Sequence, residues 1–236
     1  MNGNGDEHRR RGRLYAPLGW AFFLALAIAG LLVIGSVALD ALSYVYHRLG
    51  ISLGWMAIIM AAGLLGSMIN IPIARFRAEV RQESTTITVF GVTYRVPAAI
   101  RTGSTTVAVN VGGAIVPATV AIYLICHDHL PLNALFATLI VTAVVFAVAR
   151  PVPGVGTVTP SLVPPLAAAL TAIWLGGHVV AAVAYVAGTF GTLVGADILN
   201  MPRVRSLQAP EVSIGGAGTF DGVFLTGLVA VLLASW

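Results

Sequence analysis

The stretch LGWAFFLALAIAGLLVIGSVALDALSYVY, Leu18 to Tyr46, decides the class of fold. Asp40 is its one charged residue, and its length exceeds the roughly 20 apolar residues that a helix needs to cross a bilayer. The basic segment HRRRGR, His8 to Arg13, stands just before it, with the charge pattern that opens a secretory signal. The apolar run is too long for a signal-peptide core, so the expectation is an uncleaved signal anchor whose N-terminus stays in the cytoplasm.

The rest of the chain has the same character. Of its 236 residues 58% are hydrophobic and 9% are charged, which leaves more apolar surface than a water-soluble domain of this size can bury. The 26 Gly and 12 Pro follow no period, which excludes a collagenous chain. The single cysteine, Cys126, rules out an internal disulfide and any cluster of thiolate ligands. There is no lysine, so Schiff-base chemistry and a P-loop are excluded too. No cofactor motif is present, and the positive charge lacks the aromatic pattern of a nucleic-acid binder.

Further apolar runs predict an all-α polytopic membrane protein with about seven crossings. A second span covers about Leu53 to Ile73, a third about Thr106 to Cys126, and a fourth about Ala134 to Ala149, with HDHLPLN (His127 to Asn133) as the turn between the last two. Between the second and third spans, TTITVFGVTYRV (Thr85 to Val96) alternates around Phe90 and Gly91 and predicts a small cytoplasmic hairpin within a loop of about 74–105. The apolar stretch from Pro164 to Asn200 is too long for one crossing. Its natural break is Gly176, Gly177 and His178, giving a short helix and a full one from His178 to Leu199. A final short helix covers about Phe220 to Ser235. This arrangement places every arginine except Arg48 on the cytoplasmic side, and that asymmetry sets the orientation. The expected domains are a basic tail, residues 1–17, and one transmembrane domain, residues 18–236, in the inner membrane.

Each short helix comes after a segment too rich in Gly and Pro to be helical: RPVPGVGTVTPSLVPP (Arg150 to Pro165) and PEVSIGGAGTFDG (Pro210 to Gly222). Extended backbone survives at membrane depth only inside protein or beside a wet cavity. The expectation is a cytoplasm-facing pocket formed by Asn110, Gly112, Gly113, Thr159, Asn200, Gly215, Gly216 and Gly218, with Gly191 and Gly195 as a close-packing face. Asp197 and Asp221 fall at similar depth beside it. Intramembrane acids are candidates for function, and two adjacent carboxylates can divide the acid and base roles of hydrolysis. The structural alternative makes Asp221 a helix-start residue and pairs Asp197 with Arg203 or Arg205. A further alternative has the same two aspartates lining the cavity of a small ion- or proton-coupled carrier or channel. His127, His129 and His178 fall near the outer face as weak metal candidates; no metal site is expected.

GADILN (Gly195 to Asn200) and GTFDG (Gly218 to Gly222) resemble the two aspartate motifs of the intramembrane aspartyl proteases of the presenilin, signal peptide peptidase and prepilin peptidase type. Ala196 stands where those motifs have Gly, and Asp221 comes two residues late after Gly216, Ala217 and Gly218. The resemblance implies Asp197 and Asp221 as the catalytic pair, with a membrane protein or peptide as substrate. NVGGAIVP (Asn110 to Pro117), GADILN and SIGGAGTFDGVFLTG (Ser213 to Gly227) are similar to a bacterial and archaeal family of membrane proteins known as a domain of unknown function. That second likeness covers most of the membrane part and implies no activity. The expected partners are the lipid bilayer, a peptide substrate and a second copy of the chain.

Overall fold

A computed structural model describes residues 19–77, 85–89, 92–96, 104–152, 156–205, 211–216 and 223–235. The chain divides into two units, residues 1–40 and 41–236. In the first, helix α1 (Gly19–Arg48) begins, and every residue from Phe22 to Leu39 is exposed. The Ser36 hydroxyl is satisfied within the helix by the carbonyl of Val33, at 2.9 Å.

The second unit is built around α6 (Val180–Thr192), in which Ala181 to Thr189 are all buried. It packs against α3 (Val116–His127), α4 (Leu132–Val148), α5 (Val163–Leu175) and α8 (Val223–Ala234). The side chains are sorted by size. Helix α4 turns Ala134, Ala137, Val141 and Val145 inward at helical spacing and leaves Leu135, Phe136 and Leu139 exposed. Helix α5 buries Ala168, Ala169 and Ala172 and exposes Leu166, Leu170, Ile173 and Trp174. Small residues inside and large apolar ones outside are the reverse of a water-soluble bundle, and they let helix backbones approach closely. Gly191 and Gly195 are the expected close-packing face: a Cβ on either would run into α4, at 2.5 Å from Val141 Cγ1 and 2.6 Å from the Thr142 carbonyl respectively. Two stretches, Phe22–Arg48 and Gly177–Arg203, are long and apolar enough to cross a membrane, and the other apolar helices are shorter.

Three small sheets accompany the helices. Strands β2 (Thr85–Val89) and β3 (Val92–Val96) pair as the expected hairpin, with Thr85 opposite Val96. Strands β5 (Arg150–Val152) and β6 (Gly156–Val158) form a second antiparallel pair, so these parts of the first Gly/Pro-rich segment are extended as predicted. Its last residues, Val163 to Pro165, are not: they open α5, because proline is tolerated in the first turn of a helix, where its missing N–H would have no partner. The third sheet has the order β1, β4, β7, with β1 at Asn70–Arg77, β4 at Ser104–Asn110 and β7 at Glu211–Ile214. Strand β1 runs antiparallel to β4 and β7 runs parallel to it. The β1 register slips between Pro72 and Ala74, where proline has no N–H to give the ladder.

This sheet corrects two expected spans. Helix α2 (Leu53–Gly66) ends at a turn, and the residues from Asn70 to Ile73, predicted as its continuation, are strand. The third span is not helical from Thr106: Thr106 to Asn110 are strand, and helical structure begins at Val111. Thr105, Thr106, Val107 and Val109 are β-branched, which suits a central strand flanked on both sides. Hydropathy alone does not separate that strand from the start of a helix.

Candidate functional site

Asn110 closes β4 and caps the helical segment after it. Its backbone is extended (φ −76°, ψ 130°), and its Oδ1 accepts the Gly113 N–H at 2.7 Å, the geometry for which Asn is favoured before a helix. The capped segment is a π-turn, Val111–Ile115, that passes into α3. The Asn110 Nδ2 donates to the Ser67 carbonyl at 2.8 Å and to Asn70 Oδ1 at 2.9 Å, so this buried amide is satisfied on both ends. Asn70 is the shared node: its Oδ1 also accepts from Ser213 Oγ (2.9 Å), and its Nδ2 donates to Glu211 Oε1 (3.0 Å). One polar network therefore joins all three strands of the sheet.

The glycines set how closely the elements meet. A Cβ on Gly112 would strike the backbone at the end of α2, and one on Gly113 would strike the carbonyl of Gly215. Gly215 and Gly216 have φ of +90° and +103°, a region that L side chains avoid. This turn after β7 aims the Gly215 N–H at Oδ2 of Asp197, 2.7 Å away. Asp197 lies in a second π-turn, Leu193–Ile198, at the end of α6. Single π-turns of this kind are frequent at functional sites. Asn200, fully buried, steadies that end: its Nδ2 donates to the Gly195 carbonyl (2.9 Å), and its Oδ1 accepts from Arg203 Nη1 (3.1 Å). The Arg203 guanidinium lies 4.9 Å from the centre of the Phe146 ring.

Of the residues predicted from sequence, Asn110, Gly112, Gly113, Gly215 and Asp197 are brought into one connected group. Gly216 continues its turn, and Asn200 sits at the next turn of the same helical end. Thr159 is half-buried just after β6, a strand that lies beside the second π-turn. Asp221 and Gly218 lie outside the described residues. The nearest described residue to Asp221, Val223, packs in a small apolar cluster with Leu193 and Ala114, one residue from each π-turn. Among the described residues, His127, His129 and His178 do not assemble a ligand set. Among the described residues no three metal-capable side chains gather, and His127 is engaged by Asp128 at 2.8 Å and stacked on Tyr123.

Asn70, Glu211 and Ser213 were not expected at the site. The available signal was Asn70 itself, a polar amide at the end of an apolar run; only the strand pairing reveals what it holds.

Asn110 with its two glycines, the Asp197 π-turn and the Gly215 turn all lie within the stretch that one family matches. The family described as protein of unknown function, DUF1614, matches residues 64–233. The chain belongs to that family. The DUF1614 match begins near the end of α2 and takes in both π-turns and the three-stranded sheet. No curated protein and no solved structure matches the chain.

Proposed function

We propose that this DUF1614 protein is a multi-pass inner-membrane protein, N-terminus in the cytoplasm, that acts as an intramembrane aspartyl hydrolase with Asp197 and Asp221 as its acid and base. The membrane reading is supported by the inverted size sorting of the bundle, by the two long apolar helices and by the arginine asymmetry of the sequence.

One observation carries the hydrolase reading: the Gly215 N–H bonds to Asp197 while Val223 shares one small apolar cluster with Leu193 and Ala114. Residue 221 is two residues from Val223, a reach of at most about 7 Å. Asp197 is four residues from Leu193, about one helical turn. Gly215 and Val223, described residues before and after the segment that carries Asp221, thus both meet the end of α6 that carries Asp197, which supports the reading. Two carboxylates sharing a site hold one proton between them: the charged one draws a proton from water as the protonated one polarises a substrate carbonyl. Strand β7, at the sheet edge beside Asp197, offers backbone groups to an unwound substrate segment.

The test needs no known substrate. A photoreactive hydroxyethylene peptide isostere, which mimics the tetrahedral intermediate, should label the protein in membranes and should fail to label Asp197→Asn or Asp221→Asn. Equal labelling of wild type and variants overturns the reading.

A second reading has one specific observation in its favour, the break of α6 at a π-turn bearing a carboxylate, which is how carriers hold cations. It calls for aspartate-dependent proton or sodium flux in proteoliposomes.

A further inference from the structure

A hairpin of two strands is marginal in water, because it has no second layer to bury an apolar face against. Strands β2 and β3 are such a pair: among the described residues their substantial packing is with each other. The register nevertheless sorts their residues by face. Thr85 lies opposite Val96, Ile87 opposite Tyr94 and Val89 opposite Val92, and these three pairs share one face. Thr86 opposite Arg95 and Thr88 opposite Thr93 make up the other, where the Thr88 and Thr93 hydroxyls meet at 3.1 Å. One face is therefore apolar in all but Thr85, and the other is polar throughout. Both are open: Val92 is 53% exposed, and Thr86, Thr88 and Thr93 are exposed too.

The chain that leads to the hairpin indicates what its apolar face meets. Met68, Ile69, Ile71 and Ile73 are all exposed, and the next exposed residue is Arg75. An uncovered apolar run that turns basic within two residues suits the boundary between hydrocarbon and headgroups on a cytoplasmic face. Arg75 and Arg77 pair with Thr106 and Ser104 of the strand by which the chain returns, so the hairpin departs from and comes back to that level. The sequence from residue 74 to 103 holds Arg75, Arg77, Arg81, Arg95 and Arg101 against only Glu79 and Glu83. A net positive segment with an open apolar face complements a surface of anionic headgroups over hydrocarbon.

We propose that the β2–β3 hairpin docks by its Val89–Val92 face on the cytoplasmic leaflet, held there by acidic phospholipid. The apolar row enters between the headgroups, and the arginines, acting over a Debye length of about 10 Å in 0.1 M salt, supply the preference for anionic lipid. The docking rests on the membrane-embedded reading of the chain and is independent of any chemistry at Asp197.

The test uses single cysteines in a Cys126→Ala background, each carrying an environment-sensitive fluorophore, in the full chain reconstituted into vesicles. The vesicles are phosphatidylcholine alone or phosphatidylcholine with phosphatidylglycerol, and spin-labelled lipid is the quencher. In the mixed vesicles Val92→Cys is expected to be quenched at least several-fold more than Thr93→Cys, its neighbour on the opposite face. Phosphatidylcholine alone, or molar salt, should remove most of that difference. Leu32→Cys, on the exposed part of α1, reports the membrane reading itself and should be quenched in both kinds of vesicle. If Leu32 is quenched and Val92 is no more quenched than Thr93, the docking fails alone; an unquenched Leu32 overturns both. Equal quenching of Val92 in the two kinds of vesicle overturns the acidic-lipid proposal. A Val92 label shielded from lipid and from aqueous iodide alike marks a protein on that face, a second copy included, and overturns it as well.

Discussion

The backbone N–H of Gly215 donates to Oδ2 of Asp197 across 2.7 Å, joining the turn after β7 to the π-turn that ends α6. A carboxylate that accepts a backbone N–H has a structural duty as well as any chemical one, and substitutions can separate the two.

Asp197→Asn keeps an oxygen that can accept from Gly215, whereas Asp197→Ala leaves that N–H without its partner. Asp197→Ala is expected to be less stable than Asp197→Asn by about 1–3 kcal/mol, the usual cost of stranding a buried donor. Thermal unfolding in a mild detergent measures the difference. Under the hydrolase reading both variants lose isostere labelling alike.

Asn110→Asp should be worse than its near-identical shape suggests. The change removes both Nδ2 donors and points a carboxylate oxygen at the Ser67 carbonyl and at Asn70 Oδ1. A loss of about 2–4 kcal/mol is expected, from two bonds replaced by repulsive contacts. The same unfolding assay reads it; a variant as stable as wild type would show that the network holds nothing together.

Glycine-to-alanine substitutions should split into two classes. At Gly191 the new Cβ would lie 2.5 Å from Val141 Cγ1, and at Gly112 it would enter the backbone at the end of α2, so both variants are expected to lose folded protein. Gly30 and Gly35 are helical with nothing within 4 Å of the added atom. There the expected change is neutral to stabilising, by up to about 1 kcal/mol. Size-exclusion yield of the four variants side by side is sufficient.

Orientation is checked with single cysteines in a Cys126→Ala background. Thr88, in the β2–β3 hairpin, should react with an impermeant maleimide only after the inner membrane is opened, and His129 should react in intact spheroplasts. The opposite pattern would invert the topology.

The sequence carried the helices well, because long runs of apolar residues declare themselves by unbroken hydropathy. The break at Gly176 to His178, the hairpin strands within Thr85 to Val96 and the extended stretches Arg150 to Val152 and Gly156 to Val158 were legible from turn residues and alternation, whereas the helical start at Val163 to Pro165 was masked by its prolines. What escaped was the central strand. Thr106 to Asn110 reads as apolar in any window, and its partners lie at Asn70 to Arg77 and at Glu211 to Ile214, far along the chain in both directions. For the same reason Asn70, Glu211 and Ser213 carried no local mark of belonging with Asn110. The π-turns were hinted at by their glycines, but the extra residue in each is a tertiary choice, favoured where Gly112 and Gly195 let a neighbouring backbone press in. For the expected carboxylate pair, Asp221 falls outside the described residues and Asp197 is anchored by Gly215.

Parallel pairing of β4 with β7 sets residues 106–109 beside residues 211–214, with four of the bundle's helices threaded between them. A nascent chain therefore reaches Asn110 long before its partner strand has been synthesised. Until then the middle strand has one bare flank, and Asp197 awaits the Gly215 N–H. Maturation of this centre is a late, whole-chain event. Interrupted translation would yield formed helices with an unfinished interior, the sort of product that cellular quality control removes.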